Sequence, residues 1–334
     1  MSVRVGVVGA AGAVGSTLLS VLAEREFPVG RLRLLATARS AGQVVRWRDT
    51  EVVIEQTRPD SFAGLDICFL AVPGAQVSRH LAPLAVAAGA AVIDKGSAFR
   101  MDPNVPLVVP EVNADAVRPG PGILASPNCT TIPLVLCLQP LRAVAGIRRV
   151  IVSTYQSASG AGQAAAEELR LGSEAILAGA AAEARIFPRP LAFNVVPQCD
   201  LFAEGGFTLE EWKLVRETRK ILSAPDLRLT ATAARVPVFV GHSESVYVET
   251  ESPLTAAAAR AVLAQAPGVD VRDDPEHGVY PTARDAAGTD RAQVGRIRQD
   301  PHDPCGLHLW IVGDNLRKGA ATNAVQIAEE WIRR

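Results

Sequence analysis

The sequence predicts an α/β protein with a doubly wound parallel sheet and a second, α+β domain. A valine-rich run, Val3 to Val8, leads directly into a series of closely spaced glycines. Further valine- and isoleucine-rich runs then alternate with alanine-rich stretches, which is the pattern of strands joined by crossover helices. At 334 residues the chain is too long for one ordinary core, so we expect two domains.

Composition limits the classes of partner. Hydrophobic residues make up 48% of the chain and charged residues 21%, and the formal net charge is -1. No basic stripe and no uninterrupted apolar run of ~18 residues is present, so we expect neither nucleic-acid binding nor a membrane span. An odd number of cysteines without a C-x-x-C pair favours a reducing, cytoplasmic location and predicts no metal site: Cys68, Cys129, Cys137, Cys199 and Cys305.

The glycine series follows the first strand and precedes leucines at helical spacing. Glycines at such a turn let the backbone approach a pyrophosphate, which the helix N-terminus then binds. The spacing is G-x-x-G-x-x-G instead of the commoner G-x-G-x-x-G, and a purely structural turn is the alternative. Together with the alternating elements it predicts a Rossmann-type domain whose pyrophosphate site comprises Gly9, Gly12, Ala13, Val14 and Gly15.

The end of the second predicted strand, Arg31 to Leu35, bears on the choice of cofactor. NAD-specific folds place an acidic residue there for the ribose 2′-hydroxyl. This chain instead has Arg39 and Ser40, which can bind a 2′-phosphate. We therefore expect NADP(H), with a solvated surface arginine as the alternative.

The same domain supplies a second candidate anion site. We predict a crossover helix over Gln76 to Ala88 and a loop from Asp94 to Arg100 after a strand end, where ligands gather in open α/β sheets. Arg100 is the expected anion binder. The remaining predicted strands are Val52 to Ile54, Ile67 to Val72, Ala91 to Asp94 and Leu107 to Val109.

Cys129 is the candidate nucleophile. It follows Pro127 and Asn128 at the start of an apolar run that predicts a helix. The first N–H groups of a helix carry partial positive charge and favour a thiolate. The alternative is a buried core cysteine, but the polar neighbours Asn128 and Thr130 argue against core packing.

The second half adds candidates for proton transfer and ligand binding. A strand from Arg148 leads into a polar, glycine-containing loop, and a helix is predicted from Gln163 to about Ala182. Strand-like runs flank His242, the histidine best suited to act as a base. The expected C-terminal elements are a strand, Gly306 to Val312, and an amphipathic helix, Gly319 to Arg334, that returns to the first domain.

Near Glu210, the helix start predicts a capping box between Thr208 and Glu211. The capping box gives Glu211 a structural role. It does not account for Glu210 and Lys213, which are therefore candidates for a functional role.

Eight sequence blocks, in this order along the chain, together resemble a known family: Gly9-Ala-Ala-Gly-Ala-Val-Gly15, Val109-Pro-Glu-Val-Asn113, Pro127-Asn-Cys-Thr-Thr131, Ser153-Thr-Tyr-Gln156, Ser159-Gly-Ala-Gly162, Arg235-Val-Pro-Val238, His242-Ser-Glu-Ser-Val-Tyr-Val-Glu249 and Asp314-Asn-Leu-Arg-Lys-Gly-Ala320. Across nearly its whole length the chain resembles the bacterial aspartate-β-semialdehyde dehydrogenase family. The resemblance implies NADPH-dependent reduction of L-aspartyl 4-phosphate to the semialdehyde and phosphate, on the route to lysine, threonine and methionine.

The resemblance also implies residue roles. Cys129 attacks the acyl phosphate, His242 acts as acid and base, and Gln156 orients the substrate. Arg235 binds the α-carboxylate, and Glu210 binds the ammonium group. Arg100 and Lys213 bind phosphate, with Asn128 also at the substrate. Besides the glycine turn, the cofactor residues are Arg39, Ser40, Ser159, Gly160 and Asn315.

The family also implies the domain division and the assembly. Residues 1–127, completed by the C-terminal helix at 315–334, form the NADP-binding domain, and residues 128–314 form the catalytic and dimerisation domain. The expected assembly is a homodimer or a dimer of dimers.

The chain departs from the family's sequence pattern at three places, and three alternative functions are considered. Lys95 stands where the family commonly has asparagine, Ala71 to Gly74 replaces a more polar stretch, and the segment between the Gln163 helix and Phe193 is short for the family.

N-acetyl-γ-glutamyl-phosphate reductases share the overall design, but we expect Gly-Cys-Tyr around their cysteine. Glyceraldehyde-3-phosphate dehydrogenases share Cys-Thr-Thr, but their NAD preference fits Arg39 poorly. The third rival is a catalytically silent paralogue that serves as a binding or assembly partner.

Overall fold

A computed structural model of the chain describes residues 2–72 and 74–334. Pro73, within the departure at Ala71 to Gly74, lies outside the described residues. The chain forms two compact units. The first runs up to Asn128 and includes Ala320–Arg334, and the second is Cys129–Gly319.

The strands of the described residues fall into one set for each unit. Those of the first unit are β1 (Val3–Val8), β2 (Val29–Ala36), β3 (Val44–Trp47), β4 (Thr50–Gln56), β5 (Ile67–Leu70), β6 (Ala91–Asp94) and β7 (Gly122–Ala125). Those of the second are β8 (Arg149–Gln156), β9 (Arg228–Arg235), β10 (His242–Glu249), β11 (Val269–Val271), β12 (Ala292–Gln299) and β13 (Gly306–Gly313).

The helices include two short ones of a single turn, α3 and α8. In chain order the helices are α1 (Ala13–Glu24), α2 (Ala75–Ala87), α3 (Pro110–Asn113), α4 (Thr131–Ala145), α5 (Gln163–Leu177), α6 (Leu209–Ile221), α7 (Ala256–Ala264), α8 (Ala283–Ala286) and α9 (Thr322–Arg333). Among the described residues, none is long and apolar enough to cross a membrane.

The first unit confirms the predicted Rossmann-type sheet. Within the described residues its strand order is β3-β4-β2-β1-β5-β6-β7. All neighbouring strands in the run β4-β2-β1-β5-β6-β7 are parallel, and β3 pairs antiparallel with β4 at the edge of the sheet. Apolar residues of α1 and α9 belong to one core cluster and those of α2 to another, as expected for a sheet with helices on both faces. The chain order reverses beside β1, which is where such sheets bind ligands.

The second unit contains a mixed sheet that confirms the predicted α+β domain. Within the described residues its order is β11-β12-β13-β10-β8-β9. Strand β10 is antiparallel to both its neighbours, whereas β8 and β9 are parallel. Helix α4 is apolar around most of its circumference, because it contacts α6 and α7 as well as β12 and β13. Because of these strand directions, the carboxyl ends of β8, β9 and β13 lie beside the amino end of β10 at one end of the sheet.

Several predicted bounds were wrong for identifiable reasons. The run Leu107 to Val109 forms one bridge, Leu107 to Ala125, because β7 supplies the regular strand beside β6. The run from Val236 to Val240 is irregular, since Pro237 has no N–H and Gly241 has a φ of +95°. The C-terminal helix begins at Thr322 after a π-helical turn, Arg317–Ala321.

Candidate active site

Three polar side chains are brought together by strand register at the edge of the second unit's sheet. Gln156 pairs with Arg235 across β8 and β9, and Ser243 pairs with Tyr155 across β10 and β8. His242, one residue before Ser243, therefore lies next to Gln156 on the same face. All three side chains are buried, with exposures of 1% for Gln156, 8% for Arg235 and 1% for His242. Buried polar groups at adjoining strand ends indicate a ligand site.

A chain of polar contacts connects Gln156 to helix α6. Its Nε2 donates to Glu210 Oε1 at 3.2 Å and to Thr154 Oγ1 at 3.2 Å. Its Oε1 is buried and has no hydrogen-bond partner among the described residues. An acceptor left open in this way is suited to an N–H group of a substrate.

Lys213 lies one turn after Glu210 on α6. Its Nζ donates to Glu210 Oε2 at 3.0 Å and to Asp200 Oδ2 at 2.7 Å. Burial alone would lower the pKa of Lys213, but the two carboxylates together raise it above its usual value. The capping box predicted for α6 is confirmed, since Glu211 Oε2 accepts from Thr208 N at 2.6 Å and Thr208 Oγ1 accepts from Glu211 N at 3.3 Å.

His242 has one ring nitrogen engaged and one open. The backbone N–H of Ser157 donates to Nδ1 at 3.0 Å, and Ser157 Oγ lies 3.1 Å from the same atom. Nε2 is buried without a hydrogen-bond partner among the described residues. Burial, with the charge of Arg235 second, lowers the pKa of His242 to about 3, and Glu210 opposes this only in part. The imidazole is therefore neutral at physiological pH.

Arg235 is fixed from two sides. Its Nη1 donates to the carbonyl oxygen of Ser157 at 2.9 Å. The chain at Gly160 passes so close that a methyl group there would lie 2.6 Å from Nη1 and 2.9 Å from His242 Nε2. A planar guanidinium held in this way can bind a carboxylate with two hydrogen bonds.

Cys129 occupies a different environment from the other cysteines. It is half-buried and lies two residues before α4 begins. Burial raises the pKa of the Cys68 and Cys199 thiols to about 12 and also raises that of Cys137. Cys199 interacts electrostatically with Cys129, Arg235 and Glu210, so the thiol of Cys129 belongs to the same neighbourhood.

Ser159 and Asn315, predicted as cofactor residues, bind each other. Asn315 Nδ2 donates to Ser159 Oγ at 3.0 Å, and its Oδ1 accepts from Gly241 N at 2.9 Å and from Ser157 Oγ at 3.1 Å. Sequence reasoning missed Ser157, Thr154 and Asp200. Their contacts depend on strand register and loop packing, which a local sequence motif does not predict.

The first unit contains the glycine turn and fits the pyrophosphate of a dinucleotide. Gly9 has a φ of +83°, and a methyl group on Gly15 would lie 2.2 Å from Gly9 O. The local backbone therefore requires glycine at both positions. Gly12 caps α1 without a side-chain hydrogen bond, and the first turn, which includes Ala13 and Val14, carries no acidic residue. The N–H groups of that turn are thus suited to phosphate.

The other residues predicted in the first unit lie in loops. Arg39 is exposed and Ser40 half-buried in the turn after β2. Arg100 donates to the carbonyl oxygens of Gly96 at 3.0 Å and Lys95 at 2.8 Å. Lys95 itself donates from Nζ to Pro127 O at 3.2 Å, and Asn128 is buried with an exposure of 6%.

A dinucleotide turn in one unit and a cysteine close to a buried arginine and histidine in the other are the parts that thioester-forming oxidoreductases use. The fold and the site thus define a nicotinamide-dependent oxidoreductase, with Cys129 as the candidate thiol nucleophile. Two family descriptions match the chain: semialdehyde dehydrogenase, NAD binding domain, over residues 4–119, and semialdehyde dehydrogenase, dimerisation domain, over residues 138–318.

Curated relatives agree with these matches. Aspartate-semialdehyde dehydrogenase of Legionella pneumophila is 49% identical over 329 residues, covering 98% of this chain and 94% of the relative. That of Bacillus subtilis (strain 168) is 47% identical, covering 98% and 96%. A crystal structure of aspartate semialdehyde dehydrogenase II complexed with ASA from Vibrio cholerae superposes with a TM-score of 0.96 at 43% identity, covering 100% of this chain and 99% of that one.

The chain belongs to the aspartate-semialdehyde dehydrogenase family. The alternative enzymes and the silent paralogue are not favoured by these relatives.

Proposed function

We propose that the chain reduces L-aspartyl 4-phosphate with NADPH to L-aspartate 4-semialdehyde and phosphate, through a thioester on Cys129, on the route to lysine, threonine and methionine. The observation that carries this is the cluster at the sheet edge, where Gln156, Arg235 and His242 are buried together. Two of their polar atoms, Gln156 Oε1 and His242 Nε2, have no hydrogen-bond partner among the described residues. The relatives named above support the choice of substrate.

The charges of the cluster match an amino-acid head group. Arg235 binds the α-carboxylate as a bidentate partner, and Glu210, with Gln156 beside it, binds the α-ammonium group. Lys213 and Arg100 bind the phosphate, and Asn128 completes the substrate contacts. Because Lys213 is already bonded to Glu210 and Asp200, phosphate binding requires its ammonium group to exchange or share those partners.

The reaction starts with the thiolate of Cys129, which attacks the acyl carbon. The carbonyl oxygen becomes negatively charged, and His242 acts as the acid and base on this tetrahedral intermediate while phosphate leaves and the thioester forms. Gln156 fixes the orientation of the substrate.

The cofactor residues fit NADP(H). The glycine turn with Ala13 and Val14 binds the pyrophosphate, and Arg39 and Ser40 bind the 2′-phosphate. Ser159, Gly160 and Asn315 also line the cofactor, in the roles that the family implies. When bound, the dinucleotide supplies the hydride that reduces the thioester.

The proposed domain division is 1–127 with 315–334 for the cofactor and 128–314 for catalysis and dimerisation. A homodimer, or a dimer of dimers, in the cytoplasm is the proposed state. The open face of the second sheet supports self-association, because it exposes Ile151 at 39% and Tyr155 at 37%. The ring of Trp310 lies 5.4 Å from that of Tyr155 on this face, and aromatic residues are enriched at interfaces.

The activity is tested by following NADPH formation from aspartate semialdehyde, phosphate and NADP. We expect turnover by the wild-type chain and none by Cys129→Ala. Turnover that survives this substitution would refute the proposed chemistry, and activity only with N-acetylglutamate semialdehyde would reassign the substrate.

A further inference from the structure

The loop that follows β13, residues 314–319, is held by the side chain of Asp314. Its Oδ1 accepts from the backbone N–H groups of Leu316 at 2.8 Å and Arg317 at 2.9 Å. Its Oδ2 accepts from Gly288 N at 2.7 Å, and Asp314 is buried with an exposure of 3%. Hydrogen bonds to a charged acceptor are about twice as strong as those between neutral groups, so this carboxylate fixes the course of the 314–319 loop.

The same loop runs into the π-helical turn Arg317–Ala321. Gly319 N donates to Asp314 O at 2.9 Å, which is the i→i+5 bond of a π-turn. Two hydrogen bonds connect Arg317 to Asp290, from Nε to Oδ1 at 2.9 Å and from Nη2 to Oδ2 at 3.0 Å. Such turns are rare and frequently lie at functional sites. The turn is anchored at its start and in its middle, which fixes the place of Gly319.

Gly319 packs directly against Cys129. A methyl group on Gly319 would lie 2.9 Å from Cys129 Cβ, 3.1 Å from Cys129 O and 3.2 Å from Asp314 O. The φ of Gly319 is not in the left-handed region, so glycine is required there for space. Because Cβ is bonded directly to the backbone and carries the thiol, it cannot move aside as the end of a long side chain could. The 314–319 loop therefore limits where Cys129 can lie.

The other end of the 314–319 loop is tied to the surroundings of His242. Strand β13 ends at Gly313, which pairs with His242 in the sheet. Asn315 Oδ1 then accepts from Gly241 N at 2.9 Å and from Ser157 Oγ at 3.1 Å, and Ser157 N donates to His242 Nδ1 at 3.0 Å. One anchored loop thus contacts the surroundings of the imidazole at one end and the candidate nucleophile at the other.

We propose that the 314–319 loop sets the position of the Cys129 thiol relative to His242, with Asp314 and Gly319 as its positioning residues. This deepens the proposed function and rests on it, because the thiol must reach the same acyl group that His242 serves. Asp314 acts by fixing the loop, and Gly319 acts by leaving room for Cys129. Both act through the placement of the thiol and not on the substrate itself.

Substrate binding and bond formation should respond differently to this loop. The side chains proposed for the amino-acid head group lie on other elements, Gln156 on β8, Arg235 on β9 and Glu210 on α6. A displaced thiol leaves those contacts in place but changes the approach of sulfur to the acyl carbon. Reacting atoms must lie about 3–3.5 Å apart, and an error of about 1 Å can cost about 100-fold in rate. We therefore expect the loss to appear in kcat and not in KM.

Gly319→Ala tests the contact with Cys129. We expect kcat to fall about 10- to 100-fold, while KM for aspartate semialdehyde stays within about threefold of wild type. Gly122→Ala is the matched control, because a methyl group there meets no heavy atom within 4 Å among the described residues. Equal kcat in the two variants, or a loss confined to KM, would overturn the proposal.

Alkylation measures the placement of the thiol without turnover. The rate of Cys129 modification by iodoacetamide is followed from pH 6 to 9 by peptide mass spectrometry of the full-length protein, with Cys305 as the internal reference. In Gly319→Ala we expect the thiol to move away from the first N–H groups of α4, so that the pH midpoint of its reaction rises and its rate at pH 7 falls about tenfold. An unchanged profile would overturn the proposal even if the enzyme is active. A wild-type protein without turnover that shows the expected difference would count against the proposed function alone.

Asp314→Asn tests the anchor of the loop. An amide has an NH₂ group in place of one acceptor oxygen, so at least one of the three backbone N–H groups loses its partner. We expect kcat to fall about 10- to 100-fold and the pH midpoint of Cys129 alkylation to rise, as in Gly319→Ala. Asp226→Asn, at an exposed residue, is the control. A wild-type kcat and alkylation profile in Asp314→Asn would show that Asp314 does not position the thiol.

The double variant shows whether Asp314 and Gly319 act together. If both changes displace the same thiol, Asp314→Asn combined with Gly319→Ala should lose little more kcat than the more damaged single variant, because residues that act as a unit are not additive. Losses that multiply would show that the two positions affect catalysis separately, and would overturn their assignment to one positioning loop.

Discussion

Gly160 lies against Arg235 so closely that one added methyl group would come within 2.6 Å of the guanidinium Nη1. The same methyl group would lie 2.9 Å from His242 Nε2. The backbone at Gly160 therefore packs directly against two residues of the proposed site, and glycine is required there for space, since its φ is not positive.

Gly160→Ala should consequently damage catalysis more than folding. Arg235 and His242 must move by several tenths of an ångström, which we expect to lower kcat/KM about 10- to 100-fold. The free energy of unfolding should change by less than about 1 kcal/mol. Gly122→Ala is the matched control, because a methyl group there meets no heavy atom within 4 Å among the described residues. Equal activity in the two variants would show that Gly160 does not shape the site.

Alkylation should distinguish Cys129 from the other cysteines. Burial raises the pKa of Cys68 and Cys199 to about 12 and leaves them little thiolate at neutral pH, and Cys137 is raised as well. Iodoacetamide at pH 7, followed by peptide mass spectrometry, should modify Cys129 first, with half-buried Cys305 as the internal comparison. Faster labelling of Cys305 would argue against an activated Cys129.

Arg39→Asp should change the cofactor preference. An acidic side chain repels the 2′-phosphate of NADP and can accept from the 2′-hydroxyl of NAD. We expect kcat/KM for NADP to fall about 100-fold or more and the preference to shift towards NAD. Arg118→Asp, at another exposed position of the first unit, should leave the ratio unchanged. An unaltered ratio in Arg39→Asp would remove Arg39 from the cofactor site.

Glu244 predicts a pH dependence of stability. Its carboxyl is fully buried with no hydrogen-bond partner for either oxygen among the described residues, and burial raises its pKa well above the usual value. The folded state keeps the proton that the unfolded state releases above about pH 4.3, so this group lowers stability as pH rises towards its folded pKa. Glu244→Gln removes that penalty.

The unfolding free energy of Glu244→Gln, measured in urea from pH 4.5 to 8.5, should rise relative to wild type by up to about 1.4 kcal/mol per pH unit at first. Glu276→Gln, at an exposed residue, is the control. A difference between variant and wild type that stays constant with pH would mean that Glu244 is ionised in the folded protein.

Local signals in the sequence predicted the elements that local chemistry determines. The strand Val3–Val8 and the capping box at Thr208 and Glu211 are examples, since their residues lie within a few positions of one another. Strands β3 and β7 were missed, because each has four residues and is defined by its partner in the sheet. Leu107 to Val109 has the composition of a strand, but β7 occupies the place beside β6.

The site shows the same limit. Residue types and family blocks selected Gln156, Arg235 and His242, whereas their contacts with Ser157, Thr154 and Asp200 depend on pairing between distant strands and loops. The sequence therefore predicted residues that the fold brings together, but it could not predict that the Ser157 N–H donates to His242 Nδ1.

The thioester on Cys129 is tested most directly by omitting phosphate. With aspartate semialdehyde and NADP alone, the account predicts a burst of NADPH equal to the concentration of active sites, followed by little turnover. Mass spectrometry should then locate one aspartyl group on the Cys129 peptide, and adding phosphate should release it. Sustained NADPH formation without phosphate, or an aspartyl group on any residue other than Cys129, would contradict the account.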